Sequence, residues 1–221
     1  VNTDKTKALH FRPGPKFKNT VTSYKYGTEE ISTVDSYTYL GMVFTEYLDS
    51  QVACKAIAKS ANRALGLLIA KSKAHGGMPY ETFTKLFDAL VQPIIDYSAG
   101  IWGVSPVSCI SAVQRRAERY FLGVGRYTPN AALQGELGWK TPEHRQWMAV
   151  FRLWFRLKDM KDNRLNKHVF SWSLRCTRAG IKNWGHKVKC FLRKIGMYHI
   201  FECDSQLDSK HILTDLDTLL S

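Results

Sequence analysis

The sequence predicts an α+β fold that is mostly α, a small antiparallel β meander followed by helices. Three observations predict it. Runs of β-branched and aromatic residues are confined to the first fifty positions, apolar residues recur at helical spacing from Asp49 onward, and Ser-Pro and Thr-Pro pairs mark later helix starts.

In the β part, Ala8 to Phe11 is a short apolar run stopped by Arg12-Pro13-Gly14-Pro15. Thr20 to Tyr26 alternates and ends at Gly27. Ile31 to Val34 and Tyr37 to Phe44 read as strands, with Asp35-Ser36 as the turn between them. In the helical part, Cys54, Ile57, Ala61, Ala64, Leu65 and Leu68 form an apolar stripe that His75-Gly76-Gly77 stops. Phe83 through Ile95 carries a second stripe, kinked by Pro93. Ser105-Pro106 opens a third helix through Ile110, Val113, Ala117 and Tyr120, which Leu122-Gly123-Val124-Gly125 ends. Thr141-Pro142 opens a fourth that runs to about Met160, and a fifth spans Asn183 to Ile195. The expected units are a β segment over 1–48, a helical domain over 49–130, a basic helical extension over 131–200 and an acidic tail over 201–221.

Charge separates these units. The chain has 221 residues and a formal net charge of +13. Residues 1–50 balance six basic against six acidic side chains, 131–200 have fifteen against four, and 201–221 have one against five. A basic body suits a polyanionic partner, because each Lys or Arg laid on a phosphate releases a condensed counterion. The five cysteines are odd in number and scattered, which predicts reduced thiols in an intracellular protein, nuclear or cytoplasmic. No apolar run approaches the ~20 residues of a bilayer span, so no membrane is expected.

Several reaction classes find no support. Nucleotidyl transfer and nucleic-acid hydrolysis use paired carboxylates on metals, and the carboxylates do not cluster. Glu29-Glu30 sits at a turn, and Asp215-x-Asp217 falls in a tail expected to be solvated. No Walker loop, Gly-x-Ser-x-Gly or His-Glu-x-x-His occurs. His186-x3-Cys190 and His199-x3-Cys203 could each place two ligands on a helix face, but no close Cys pair accompanies them, and no metal site is expected.

Two basic stripes are the binding candidates. Lys55, Lys59 and Arg63 fall within one arc opposite Ile57, Ala61, Ala64 and Leu68. Arg145, Arg152 and Arg156 share a second arc opposed by Trp147, Phe151 and Trp154. A packed helix with a basic outer stripe can track a phosphate backbone. An ordinary solvated face is normally mixed in sign, and the first stripe has no carboxylate within it.

The order of segments resembles a known family. Asn2 through Lys7 with Leu9-His10-Phe11, then Tyr37-Thr38-Tyr39-Leu40-Gly41, Val91-x-Pro93-Ile94-Ile95-x-Tyr97, Ile101-Trp102-Gly103, Gln114-Arg115-Arg116-Ala117 and Gly135-Glu136-Leu137-Gly138-Trp139 resemble non-LTR (LINE-type) retrotransposon reverse transcriptases. The likeness covers about 1–160. It implies the end of the palm, a primer-grip hairpin, a helical thumb and a helical extension. It places Lys5 near the incoming nucleotide and Tyr39, Leu40 and Gly41 at the primer grip. The family's catalytic aspartates belong upstream of Val1, and the chain, starting without Met, reads as the continuation of something longer. The expectation is a non-catalytic fragment that binds RNA or an RNA/DNA hybrid and completes a separate palm and fingers. It needs no cofactor itself; Mg²⁺ belongs to the intact polymerase. The alternative is a helical protein–protein interaction module.

Pure protein on a primed RNA template with Mg²⁺ and deoxynucleotides should therefore make no DNA, since two-metal transfer needs acidic ligands. Incorporation above background would overturn this.

Overall fold

Backbone geometry at two turns shapes the β segment. In the computed structural model, which describes residues 6–12, 14, 23–105, 107–203 and 208–220, β1 (Tyr24–Tyr26) pairs antiparallel with β2 (Glu29–Ile31). β3 (Ser36–Tyr39) pairs antiparallel with β4 (Met42–Thr45), Tyr39 opposite Met42. The sheets are separate, so the meander is realised as two hairpins, and the run 37–44 expected as one strand folds back on itself. Leu40 (φ 49°) and Gly41 (φ 79°) are both left-handed, as in the two-residue turns whose twist matches a hairpin. Tyr97 Oη donates to the Leu40 carbonyl and Met42 is buried, so this hairpin is fastened to the helices at its tip and through its second strand. Lys5 and positions 20–22 of the expected first strand lie outside the described residues.

Helix α1 (Ser50–Ala74) starts where Asp49 accepts the Gln51 N–H at 2.8 Å and stops at His75. α2 (Tyr80–Leu90) and α3 (Gln92–Ile95) are the two halves of the stripe that Pro93 was expected to kink. α4 (Ala99–Trp102) follows. α5 (Ser108–Leu122) begins after Val107, not at Ser105 as expected. Ser105 instead accepts a hydrogen bond from Lys187 Nζ at 2.6 Å, which removes its hydroxyl from capping; Pro106 lies outside the described residues. After α6 (Asn130–Leu137), α7 (Pro142–Lys158) opens as expected, Thr141 Oγ1 accepting the His144 N–H. α8 (Leu165–Arg178) was not foreseen. α9 (Trp184–Lys194) is capped by Asn183, and α10 (His199–Glu202) and α11 (Ser209–Leu220) complete the order.

Two hydrophobic cores result. The first gathers α1 to α5 around Leu65, Phe83, Phe87, Ile95 and Ile110. The second packs Trp147, Phe151 and Trp154 of α7 against Phe170 of α8, Val188 and Leu192 of α9, Ile200 of α10 and Leu216 of α11. Burying each such side chain is worth roughly 1.5–3 kcal/mol. The tail is therefore not the solvated segment expected: within it, Leu216 is fully buried against the second core.

The cores meet where α4 lies on α7. A Cβ at Gly100 would sit 3.1 Å from the Ala149 carbonyl and from Leu153 Cβ; at Gly103 it would sit 2.4 Å from the Ala99 carbonyl and 3.0 Å from Gln146 Cβ. Trp184 Nε1 donates to the Gly100 carbonyl at 3.2 Å, tying α9 to the same joint. Gly103→Ala should destabilise the fold by about 1–3 kcal/mol through overpacking, measured as a lower urea midpoint by circular dichroism. An unchanged midpoint would mean the joint can relax.

Candidate nucleic-acid interface

Helix α1 supplies the first stripe because its apolar residues go to the core. Ala53, Cys54, Ile57, Ala58, Ala61, Leu65 and Leu68 are buried, and Lys55, Lys59 and Arg63 are exposed on the other side. No Asp or Glu occurs within α1. Among the described residues Arg63 has only a neutral partner, the Ser60 hydroxyl at 3.1 Å. Burial pushes the Cys54 thiol up to about 12, so this cysteine is a packing group and not a nucleophile.

The stripe does not stand alone. Cys54 lies near Cys109, Asn62 Oδ1 accepts Arg116 Nη1 at 2.9 Å, and Tyr120 Oη reaches the Ile69 carbonyl at 3.4 Å, so α1 and α5 run side by side in the same direction. Taking 100° per residue, Lys55 and Lys59 lie about 20° and 60° around α1 from Asn62. Arg119 and Arg115 lie about 60° and 100° around α5 from Arg116, in the opposite sense. Opposite rotations from a shared seam on parallel helices point to the same side. The two helices thus present one basic face, with Arg116 on the seam and the cores behind it.

On the α5 side this face deepens into an open cavity of about 620 Å³ lined by Ser108, Arg115, Arg116, Arg119, Arg126 and Asn130 among others, with no carboxylate in its wall. Glu118, the acidic residue of α5, is buried and accepts Gln114 Nε2 at 2.8 Å. Arg119 is held by the Thr128 carbonyl (3.2 Å) and Asn130 Oδ1 (2.9 Å), which fixes the 123–130 loop against α5. Among the described residues, none of the four arginines pairs with a carboxylate. Sequence reasoning missed this groove. Its signal was present, since Arg115, Arg116 and Arg119 sit on one helix whose acidic residue, Glu118, shares its face with Phe121, packed on the first core three residues on.

The second stripe is corrected. Arg152 and Arg156 are exposed. Arg145 is drawn inward: it donates to the Gln114 Oε1 and Lys140 carbonyl oxygens and lies 3.5 Å from Asp96 Oδ2. Periodicity puts it on their arc, but α3 and α5 cover the first turn of α7 and turn this arginine into a strut. Burial raises the Asp96 carboxyl above its ordinary range, opposed chiefly by Arg145, and burial likewise lowers Arg145.

Tyr39, Leu40 and Gly41 come together as the exposed tip of the β3–β4 hairpin, Tyr39 60% and Leu40 73% exposed. Lys5 lies outside the described residues. His186 Nε2 and Cys190 Sγ approach to 3.4 Å, yet no group of three or more His, Cys, Asp or Glu able to hold a metal exists among the described residues. No helix among them is long and apolar enough to cross a membrane. In comparisons with known proteins, the chain matches no family model, no curated protein and no solved structure.

Asp217, expected in solvent, bonds Lys140 Nζ (2.5 Å) and His144 Nε2 (2.7 Å) and clamps α11 to α7. The Lys140 ammonium first, then His144, holds this carboxyl below its ordinary range. A depressed folded value means the clamp is fully present above the unfolded carboxylate value, about 4, and is lost as pH falls through the folded value. Asp217→Asn at neutral pH should loosen α11, seen as reduced amide protection over 209–220. Acidification below about pH 4 should loosen the wild type likewise. Equal protection in the variant would show that Leu216 burial alone holds the helix.

Proposed function

We propose that this chain is a non-catalytic part of a LINE-type reverse transcriptase, an RNA-directed DNA polymerase, that holds RNA or an RNA/DNA template–primer on thumb-like helices while a separate palm and fingers carry the chemistry. The observation that carries this reading is the carboxylate-free basic face of α1 and α5, with Lys55, Lys59 and Arg63 exposed beside the Arg116 seam. Fixed cations without internal counterions gain most from a phosphate backbone, and they position the duplex without reading its sequence. Arg152 and Arg156 are further exposed cations, carried by α7, and the Tyr39–Gly41 tip is exposed as a contact to a primer end requires.

A second reading, a helical protein-interaction module, has its own observation. α8 exposes Leu165 (75%), Val169 (53%) and Trp172 (60%) on one side, an apolar stripe at helical spacing.

Replacing Lys55, Lys59 and Arg63 together with Glu tests the first reading. Their side chains lie outside the core, so circular dichroism should not change. Binding to an RNA/DNA duplex should weaken equally for unrelated sequences, and the slope of log K against log salt should flatten by about 2–3 units. An unchanged slope in a folded variant would shift the weight to the α8 stripe and a protein partner.

A further inference from the structure

The groove between α5 and the 123–130 loop combines two features that a duplex-tracking face does not need. Its cations are gathered: Arg115, Arg116, Arg119 and Arg126 line one shallow, open cavity of about 620 Å³ with no carboxylate in its wall. And an exposed aromatic ring adjoins Arg126 of its wall, which donates to the ring's hydroxyl. Tyr127 is 83% exposed, and the Arg126 guanidinium lies 4.6 Å from its ring centroid, over one face. An unburied tyrosine this open contributes nothing to either core.

We infer that this groove binds single-stranded nucleic acid, its arginines holding successive phosphates and Tyr127, backed by Arg126, offering a ring on which an unpaired base stacks. A single strand suits the site better than a duplex. Stacking on a side chain requires a base face that pairing and stacking within a duplex hide, and a groove of cations beside an aromatic platform is the general solution for a flexible strand. The loop is prepared for the task. Arg119 fixes it through Thr128 and Asn130, and Gly123, at φ +65°, turns the chain out of α5, so Tyr127 is held on a pinned loop. The Arg115 guanidinium has no hydrogen-bond or ion-pair partner among the described residues, its backbone carbonyl alone accepting from Arg119 Nη1, so a phosphate gains its whole charge. Because Arg116 also lies on the α1–α5 seam, the strand would leave the groove directly onto the face proposed to hold the duplex. The inference thus rests on that reading for its context and shares its α5 arginines, but it turns on Tyr127, which the duplex face does not use.

The test measures the full chain by fluorescence anisotropy against a short mixed-sequence single-stranded RNA, the DNA of the same sequence, and a blunt RNA/DNA duplex. Tyr127→Ala should weaken both single strands by about 5- to 100-fold, the loss of one stacked base. It should leave the salt slope and duplex affinity unchanged. Arg115→Gln with Arg126→Gln should weaken single-strand binding and flatten its salt slope by about 1–2 units. Neither variant removes a core residue, and thermal melting checks that each is folded. Wild-type single-strand affinity in folded Tyr127→Ala overturns the proposal, whatever the duplex does. If the Glu variant of Lys55, Lys59 and Arg63 keeps its duplex affinity while Tyr127→Ala loses the single strand, the groove stands and the duplex reading falls. Failure of the wild type to bind any of the three probes overturns both.

Discussion

The contact of α4 with α7 is the constraint on which the rest depends. A four-residue helix buries little on its own, yet Ala99 and Trp102 belong to the first core while Gly100 and Gly103 let α7 approach so closely that a Cβ there would lie only 3.0–3.1 Å from its atoms. Without Cβ atoms at those two positions, α7 can lay Ala149 and Leu153 directly on backbone, and its far side, Trp147, Phe151 and Trp154, is left to organise α8 to α11. The indole of Trp184 then closes the joint by donating to Gly100. Two hydrophobic cores become one body through a patch defined by missing atoms.

That joint also decides which charges remain available. Where α7 enters the interface, Arg145 is covered and occupied with Gln114, Lys140 and Asp96; where α7 leaves it, Arg152 and Arg156 stay in solvent. On the opposite side, α1 and α5 share their apolar faces inward and their cations outward. The acidic groups nearby are withdrawn, Glu118 into a bond with Gln114 and Asp96 beneath Arg145. The outer face keeps its cations because Glu118, the carboxylate of α5, is turned inside.

The tail follows the same logic in reverse. Its net negative charge does not project into water; Asp217 reaches back to Lys140 and His144, and Leu216 enters the second core beside them. Leu216 with Ile212, Leu213 and Leu220 packed beside it, together with the Asp217 carboxylate, dock this helix, each offsetting part of the entropy of ordering it.

By itself the sequence determined the fold class, the cap at Thr141, the helix starts near Asp49 and Asn183, and the α1 stripe, because these depend on neighbours along the chain: a side-chain oxygen within reach of its own backbone, or apolar residues repeating at one helical period. Only the tertiary structure decided what depends on neighbours across space. Leu40-Gly41 folds a single apparent strand into a hairpin that Tyr97 then fastens from the helical body. Helix α8 escaped notice because its Leu165, Val169 and Trp172 face solvent, leaving only Phe170 and Leu174 to carry its apolar face toward the core. Periodicity gave Arg145 the same arc as Arg152 and Arg156, and could not know that α3 and α5 would close over it. The four-arginine groove likewise needed α1 and α5 laid parallel and Arg119 holding the loop. A helical period says which side of a helix a residue occupies, and only packing says what lies on that side.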